Sequence, residues 1–249
     1  MRVLVAVDAM AGLGSLAAGE VIGRAFAAHG AQVAVVPVGD RAADVRAALG
    51  HAGSSQQVVD LREPLPGALP TGVIGLVDED ELHRPLTGLH GVAAASGREQ
   101  GWDIARVLAE DAEAALRAAI VWPANPDAAT QPGGGAHGGR GLAVLAAGGR
   151  LATGAGLCAE VFGLDTTATR ADLVVTGCDT LDFGAFGGAV VLEVVRAAGA
   201  AARPVVVVTG RNAISSRELR SAGIESAHVI EADEGLAGAS SRLAASWNQ

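Results

Sequence analysis

The stretch RVLVAVD at residues 2–8 is the part of the chain that decides the fold. Its apolar positions are consecutive and mostly β-branched, which is typical of a strand buried on both faces of a parallel sheet. PVVVVT at residues 204–209 repeats the pattern near the other end of the chain. We therefore expect Val3–Val7 and Val205–Val208 to lie in one parallel-rich, doubly wound α/β sheet.

Helical and strand patterns alternate around these two runs, while the middle of the chain is irregular. Residues 58–90 contain four prolines and predict only one or two strands, and a glycine- and proline-rich stretch occupies residues 123–139. We expect residues 1–55 and 135–249 to form a Rossmann-like core, with residues 56–134 as a reduced inserted lobe or cover. The remaining predicted strands are 32–38, 172–176 and 227–231, and the predicted helices are 16–28, 40–49, 102–120, 139–147, 188–198, 213–222 and one from about 233.

The charge composition excludes several classes of function. The 18 basic residues are all arginine, and against 27 acidic residues they leave a net charge of −9. We therefore expect a small-molecule substrate and neither a nucleic acid nor a membrane as partner, while the oligomeric state cannot be read from the sequence. The absence of lysine excludes a phosphate-binding loop ending in Gly-Lys-Ser/Thr and Schiff-base chemistry.

The compartment can be inferred from the cysteines and the amino terminus. Cys158 and Cys178 lack metal-site spacing, and we expect both to be small buried residues in a reducing compartment. The apolar run at the amino terminus is too short for a signal peptide. A cytoplasmic location is the expectation.

Carboxylates follow several predicted strands. Asp8, Asp40 and Asp182, with Asp179 a weaker candidate, follow the ends of apolar runs, and Thr176-Gly177 stands at one of these ends. Because ligands bind at the carboxyl edge of parallel sheets, these residues predict a magnesium site or a general base. The alternative is that each aspartate caps the following helix.

Two glycine-rich segments are candidate anion sites. Gly12, Gly14 and Ser15 precede the first helix, where backbone amides can face a phosphate or carboxylate. Gly138 and Gly139 precede another helix beside Arg140, whose guanidinium can donate two parallel bonds. The alternatives are a dinucleotide fingerprint for the first segment, which lies too far from its strand, and a flexible linker for the second.

These segments resemble motifs of the bacterial glycerate kinase family. Residues 7–16 (VDAMAGLGSL) are similar to the family's Pro-Asp-Ser-Phe-Lys-Gly-Ser-Leu-Ser-Ala, with a short insertion and without the lysine. Residues 37–44 keep the aspartate of Pro-Met-Ala-Asp-Gly-Gly-Glu-Gly-Thr as Asp40. The best matches are residues 93–97 (AAASG) and 135–141 (GAHGGRG), which resemble Ala-Ala-Ala-Ser-Gly-Leu and Gly-Ala-Ala-Gly-Gly-Leu-Gly.

The resemblance implies a two-domain α/β enzyme that phosphorylates glycerate with ATP and magnesium. It implies catalytic roles for Asp8, Asp40 and Asp182, with Asp40 and Asp182 holding the metal. Arg140 stands where the family motif has leucine, and it is our catalytic candidate because, without lysine, arginine must supply the positive charge. Contacts to substrate or phosphate are implied for Gly12, Gly14, Ser15, Ser96, Gly97, Gly138, Gly139, Thr176 and Gly177.

Several polar residues of the family motifs are replaced in this chain. Residues 176–189 (TGCDTLDFGAFGGA) stand where the family has Thr-Gly-Glu-Gly-Arg-Leu-Asp-Ser-Gln-Thr-x-x-Gly-Lys, so the glutamate, arginine, glutamine and lysine are absent. The family is also longer between the positions of Gly97 and Gly135. Two functions are therefore open: a weak kinase, or a degenerate relative that binds a small anion or a protein partner without turnover.

Overall fold

The computed structural model describes residues 1–247 and contains two compact units. The first comprises residues 1–54 and 154–249, and the second comprises residues 55–153. The strands are β1 Arg2–Val5, β2 Gln32–Val35, β3 Val58–Asp60, β4 Ile74–Leu76, β5 Arg150–Ala152, β6 Leu173–Leu181, β7 Val205–Asn212 and β8 Ser226–Val229. The α-helices are α1 Ser15–Ala28, α2 Ala42–His51, α3 Val92–Gln100, α4 Ile104–Val121, α5 Ala136–Ala146, α6 Gly154–Phe162, α7 Leu164–Arg170, α8 Gly188–Ala200, α9 Ser216–Ser221 and α10 Gly235–Trp247.

The first unit is built on a five-stranded parallel sheet in the order β2-β1-β6-β7-β8. The order in which the chain adds strands to the sheet reverses direction at β1, as in doubly wound folds. The α/β prediction is confirmed, and β1 and β7 lie in the same sheet as expected. Valines on one face of β1, β6 and β7 pack with Phe26 of α1 and Leu243 of α10, which explains the apolar residues on that face.

The second unit has a sheet of its own. β3, β4 and β5 form a three-stranded parallel sheet in that order, and α5 packs on it through Val144. Because β5 pairs with β4, residues 135–153 belong to this unit, whereas the sequence prediction assigned them to the core. The division found in the structure therefore differs from the predicted one at its second boundary.

One predicted boundary is wrong in a way that changes the site. β6 was expected to end at Thr176 but continues to Leu181, because Cys178 and Leu181 pair with Thr209 and Asn212 of β7. Thr176 and Gly177 consequently lie inside the strand. None of the helices within residues 1–247 is both long and apolar enough to cross a membrane.

Candidate functional site

Asp8 lies at the carboxyl edge of the five-stranded sheet. The chain continues beside β6 after β1 ends, since the Ala6 N–H donates to the Val175 carbonyl and the Asp8 N–H to the Gly177 carbonyl, each at 3.0 Å. A side chain at Gly177 would meet the Met10 sulfur at 2.8 Å. Gly177 therefore lets the segment after Asp8 cross close to β6, which explains the glycine without a ligand contact.

Residues 10–13 form a closed turn. Met10 and Leu13 exchange two backbone hydrogen bonds of 3.0 and 2.9 Å across Ala11 and Gly12, which both have positive φ. The Ala11 N–H donates to Asp179 Oδ1 at 2.7 Å. Three amides of this segment thus already have acceptors, and Gly12 is the exposed tip of the turn. Gly14 and Ser15 stand at the start of α1, where Gly14 is the N-cap, and they line a cavity of about 280 Å³ with Asp44.

Carboxylates gather around Asp8. Burial raises the pKa of the Asp8 carboxyl, the Ala9 N–H bonded to its Oδ1 at 2.8 Å lowers it, and the charges of Asp40, Asp44 and Asp179 raise it further. The charged groups that shift this pKa are thus all carboxylates. Such a cluster attracts a divalent cation, because each ionised oxygen is stabilised when the cation approaches.

Asp40 and Asp44 are positioned by close backbone packing. A side chain at Gly39 would meet the Asp44 Cβ at 2.5 Å, and one at Gly154 would meet the Asp40 carbonyl oxygen at 2.3 Å. Gly154 thus allows the start of α6 to touch the backbone of Asp40. This contact explains why Gly154, which begins a segment similar to the family, is a glycine.

Asp182 orders the turn that precedes α8, but it does not cap that helix, whose N-cap is Gly187. Its Oδ1 accepts from the backbone N–H groups of Gly184 and Ala185 at 2.9 and 3.2 Å. Asp179, by contrast, interacts with Asp8, because its charge contributes to the raised pKa of Asp8. The Thr176 side chain is fully buried within β6.

Both cysteines are free and buried, as predicted. Burial, with a smaller contribution from neighbouring carboxylates, raises the pKa of each thiol to about 11. Neither thiol is therefore a nucleophile at neutral pH.

The carboxylate cluster suits magnesium only with help from a phosphate ligand. Among residues 1–247, no three histidine, cysteine, aspartate or glutamate side chains are arranged to hold a metal ion by themselves. Magnesium in phosphoryl-transfer sites is commonly bound by one or two carboxylates together with substrate phosphates. Asp40, whose charge acts on Asp8, supplies one such carboxylate, so the residues present fit a magnesium–nucleotide complex better than a free metal ion.

The second unit brings together Ser96, Gly138 and Gly139. They line a cavity of about 380 Å³ with Trp102, Glu110 and Arg117, among other residues. Gly97 does not line this cavity, and a side chain there would meet Val107 at 2.5 Å. The two segments that match the family best therefore share a cavity, while Gly97 itself allows α3 and α4 to pack closely.

Arg140 and His137 belong to a polar network at the carboxyl ends of β3 and β4. Arg140 Nη1 donates to the Leu61 carbonyl at 2.8 Å, and the His137 imidazole lies 3.6 Å from Asp78. His137 has a φ of 46°, a conformation uncommon outside glycine, and its N–H donates to Glu81 at 2.9 Å. Part of the Arg140 guanidinium is thus bonded to the backbone of its own unit.

The sequence predictions gave too little weight to some residues and missed others. Asp179 follows Cys178 in β6 and was the weaker of the carboxylate candidates, yet its charge acts on Asp8. His137 contacts Asp78 and Glu81, and neither was predicted as a site residue. Asp78 nevertheless follows the apolar run at residues 73–77, just as Asp8 follows an apolar run. The predicted residues fall into two groups: Asp8, Gly12, Gly14, Ser15, Asp40, Thr176, Gly177 and Asp182 in the first unit, and Ser96, Gly97, Gly138, Gly139 and Arg140 in the second.

The sequence matches the model of one protein family and two proteins of mycobacteria. The sequence model of the glycerate kinase family matches residues 71–245. Uncharacterized proteins of Mycobacterium bovis and Mycobacterium tuberculosis are each 33% identical over 163 residues, which cover 63% of this chain and 42% of theirs. This chain thus matches less than half the length of these relatives.

A solved structure shows the same fold. The crystal structure of a putative glycerate kinase 2 from Salmonella typhimurium LT2 superposes with a TM-score of 0.66 at 18% identity, covering 99% of this chain and 98% of that one. Together with the family match over more than half of the sequence, this shows where the chain belongs: it is a member of the glycerate kinase family.

Proposed function

We propose that the protein is a glycerate kinase-like phosphotransferase that moves the γ-phosphoryl group of ATP to a hydroxyl of glycerate or a similar small hydroxy acid. The observation that carries the proposal is the carboxylate cluster of Asp8, Asp40, Asp44 and Asp179 at the carboxyl edge of the parallel sheet, where such folds bind ligands. Family membership supports the class of reaction.

Asp8 is suited to accept a proton. Burial and neighbouring carboxylates raise its pKa, and a more basic carboxylate takes a hydroxyl proton more readily. We assign Asp8 as the general base and Asp40 as the residue that would hold magnesium. Asp182 is a weaker metal candidate because one of its oxygens caps the turn before α8.

The proposed reaction is a single displacement. The substrate hydroxyl oxygen forms a bond to the γ-phosphorus, the bond from that phosphorus to the bridging oxygen breaks, and Asp8 takes the hydroxyl proton. Magnesium, when bound with ATP, offsets negative charge on the phosphates. In the second unit, Ser96, Gly138 and Gly139 share a cavity with Arg117, and we propose that this cavity binds a small anion.

The limited positive charge available to stabilise the transition state favours a weak enzyme. The chain has no lysine, residue 189 is alanine where the family motif has lysine, and Arg140 donates to a backbone carbonyl. Losing one transition-state cation typically lowers the rate by about a thousandfold or more. The same observations favour the second candidate, a degenerate relative that binds a small anion or a protein partner without turnover.

A coupled assay of ADP release with magnesium-ATP and glycerate distinguishes the two. We expect slow turnover that Arg140→Ala lowers and Asp8→Asn nearly abolishes, while Asp172→Asn, an exposed carboxylate paired with Arg2, leaves it unchanged. Turnover of about 1–100 per second would show that the catalytic rate is that of an ordinary kinase and is not reduced. Absence of turnover, combined with absence of any thermal stabilisation by magnesium-ATP, would rule out the kinase and favour the binding role.

A further inference from the structure

Helix α4 turns an apolar face to solvent. Ile104, Leu108, Leu116 and Ile120 are 73%, 62%, 68% and 79% exposed, whereas the residues that α4 buries are the small Ala114 and Ala118. Large apolar side chains that are exposed in a contiguous row mark an interaction surface in a soluble protein.

The row is symmetric along the helix. Ile104, Leu108, Ala112, Leu116 and Ile120 recur every fourth residue, and the order Ile-Leu-Ala-Leu-Ile is the same in both directions. Rows of this spacing are the ridges through which helices pack on one another. In an antiparallel pair with Ala112 at the centre, Leu108 faces Leu116 of the partner subunit and the small alanine lets the helices approach.

A groove lies at one end of this row. Leu89, itself 77% exposed, lines a mostly apolar cavity of about 530 Å³ with Trp102, Ile104 and Leu108. The other end of α4 presents Leu116 and Ile120 as protruding side chains. A two-fold axis through Ala112 brings the protruding end of each copy towards the groove of the other, so the surface is complementary to itself.

The charges on α4 argue against a membrane as the occupant. Its charged residues are Arg106 and Arg117 against Glu110, Asp111 and Glu113, in a chain with a net charge of −9. Helices that lie on bilayers carry a basic polar face that attracts anionic lipid. A second copy has no such requirement, because the charged side chains lie beside the apolar row and stay in water.

We propose that the outward face of α4 is the interface of an antiparallel two-fold homodimer of this chain. Sedimentation equilibrium of the full-length protein at micromolar concentration is expected to give a dimer. The double variant Leu108→Glu/Leu116→Glu is expected to be a monomer, while Leu192→Glu, a similarly exposed leucine on α8, stays dimeric. Circular dichroism of both variants should match that of the unaltered protein, because these side chains are largely exposed.

Oxidative cross-linking tests the register and does not depend on the glutamate variants folding. Ala112→Cys is expected to form a disulfide-linked dimer, because the two-fold axis brings this position close to itself in the partner. Leu192→Cys is the control and should not cross-link, and the native cysteines are buried. A monomeric unaltered protein, a dimer that survives Leu108→Glu/Leu116→Glu, or a monomer that sediments with anionic vesicles would each overturn the proposal.

Discussion

Asp8 combines two features that rarely coincide on a stable surface carboxylate: it is half-buried, and the charges around it have the same sign. Both features disfavour its ionised form. Ionised Asp8 therefore opposes folding unless a cation binds nearby. Such a balance is typical of carboxylates that serve chemistry rather than stability.

Asp8→Asn is expected to stabilise the protein without ligand at neutral pH. Because folding raises the pKa of Asp8, its contribution to stability is most favourable below the ordinary carboxyl pKa and declines as the pH rises through the raised value. Asparagine preserves the acceptor for the Ala9 N–H and removes the charge. We expect the melting temperature to rise by about 1–3 °C at pH 7 and to match the unaltered protein near pH 3, measured by calorimetry.

Asp172→Asn is the matched control, and its effect has the opposite sign. Hydrogen bonds from Arg2 lower the pKa of Asp172 to about 2. Its stabilising contribution is present above the ordinary pKa and is lost as the pH falls towards 2, so this variant is expected to melt slightly lower at pH 7. A lower melting temperature for Asp8→Asn at pH 7 would contradict our account of Asp8.

The sequence identified residues whose position follows from neighbouring residues in the chain. Asp8 and Asp40 follow apolar runs whose ends are visible in the sequence, and both contribute to one carboxylate cluster. Asp179 lies within β6 because pairing with β7, a contact distant in sequence, extends that strand past the predicted end. The bonds that Asp182 accepts depend on the turn at residues 182–185, whose geometry a linear pattern does not specify.

At the scale of elements, the start of α6 contacts the segment before α2 at Asp40. The start of α6 reaches the Asp40 backbone only because residue 154 has no side chain. The position of an acidic residue in the proposed site therefore depends on a glycine far from it in the sequence.

Gly154→Ala is expected to impair the site. The added methyl would lie 2.3 Å from the Asp40 carbonyl oxygen, so Asp40 or the start of α6 must move. We expect ADP release and magnesium-ATP binding to fall by about tenfold, since such positioning contacts are typically worth 10–100-fold in metal affinity. Gly199→Ala is the control, because nothing lies within 4 Å of the new methyl and it stands inside α8. Equal activity of the two variants would show that the Asp40 position is not required.

Elements with strong periodicity were predictable and short ones were not. Apart from the end of β6, the strands β1, β2, β7 and β8 and the helices α1, α4, α8 and α10 agree with the sequence patterns within a few residues. β5 has only three residues and begins with arginine, and α6 begins with glycine. Both form because of contacts made elsewhere in the chain: β5 pairs with β4, and α6 buries Leu157 and Cys158.

For the molecule as a whole, the absence of lysine and the excess of acid set the limits on function. Its arginines largely serve ion pairs and backbone bonds, such as Arg2 with Asp172 and Arg62 with Asp60. The carboxylate cluster is an acidic region in an already acidic chain, so a nucleotide requires a metal ion to approach it. The central claim is therefore that this cluster binds a metal–nucleotide complex.

Electron paramagnetic resonance of manganese, used in place of magnesium, tests this claim most directly, because the signal of free manganese decreases as the ion binds with ATP to the protein. We predict that the unaltered protein binds manganese-ATP, that Asp8→Asn and Asp40→Asn each weaken binding by about tenfold or more, and that Asp172→Asn leaves it unchanged. Equal binding of manganese-ATP by the unaltered protein and by Asp8→Asn and Asp40→Asn, or no binding by any of them, would contradict the account.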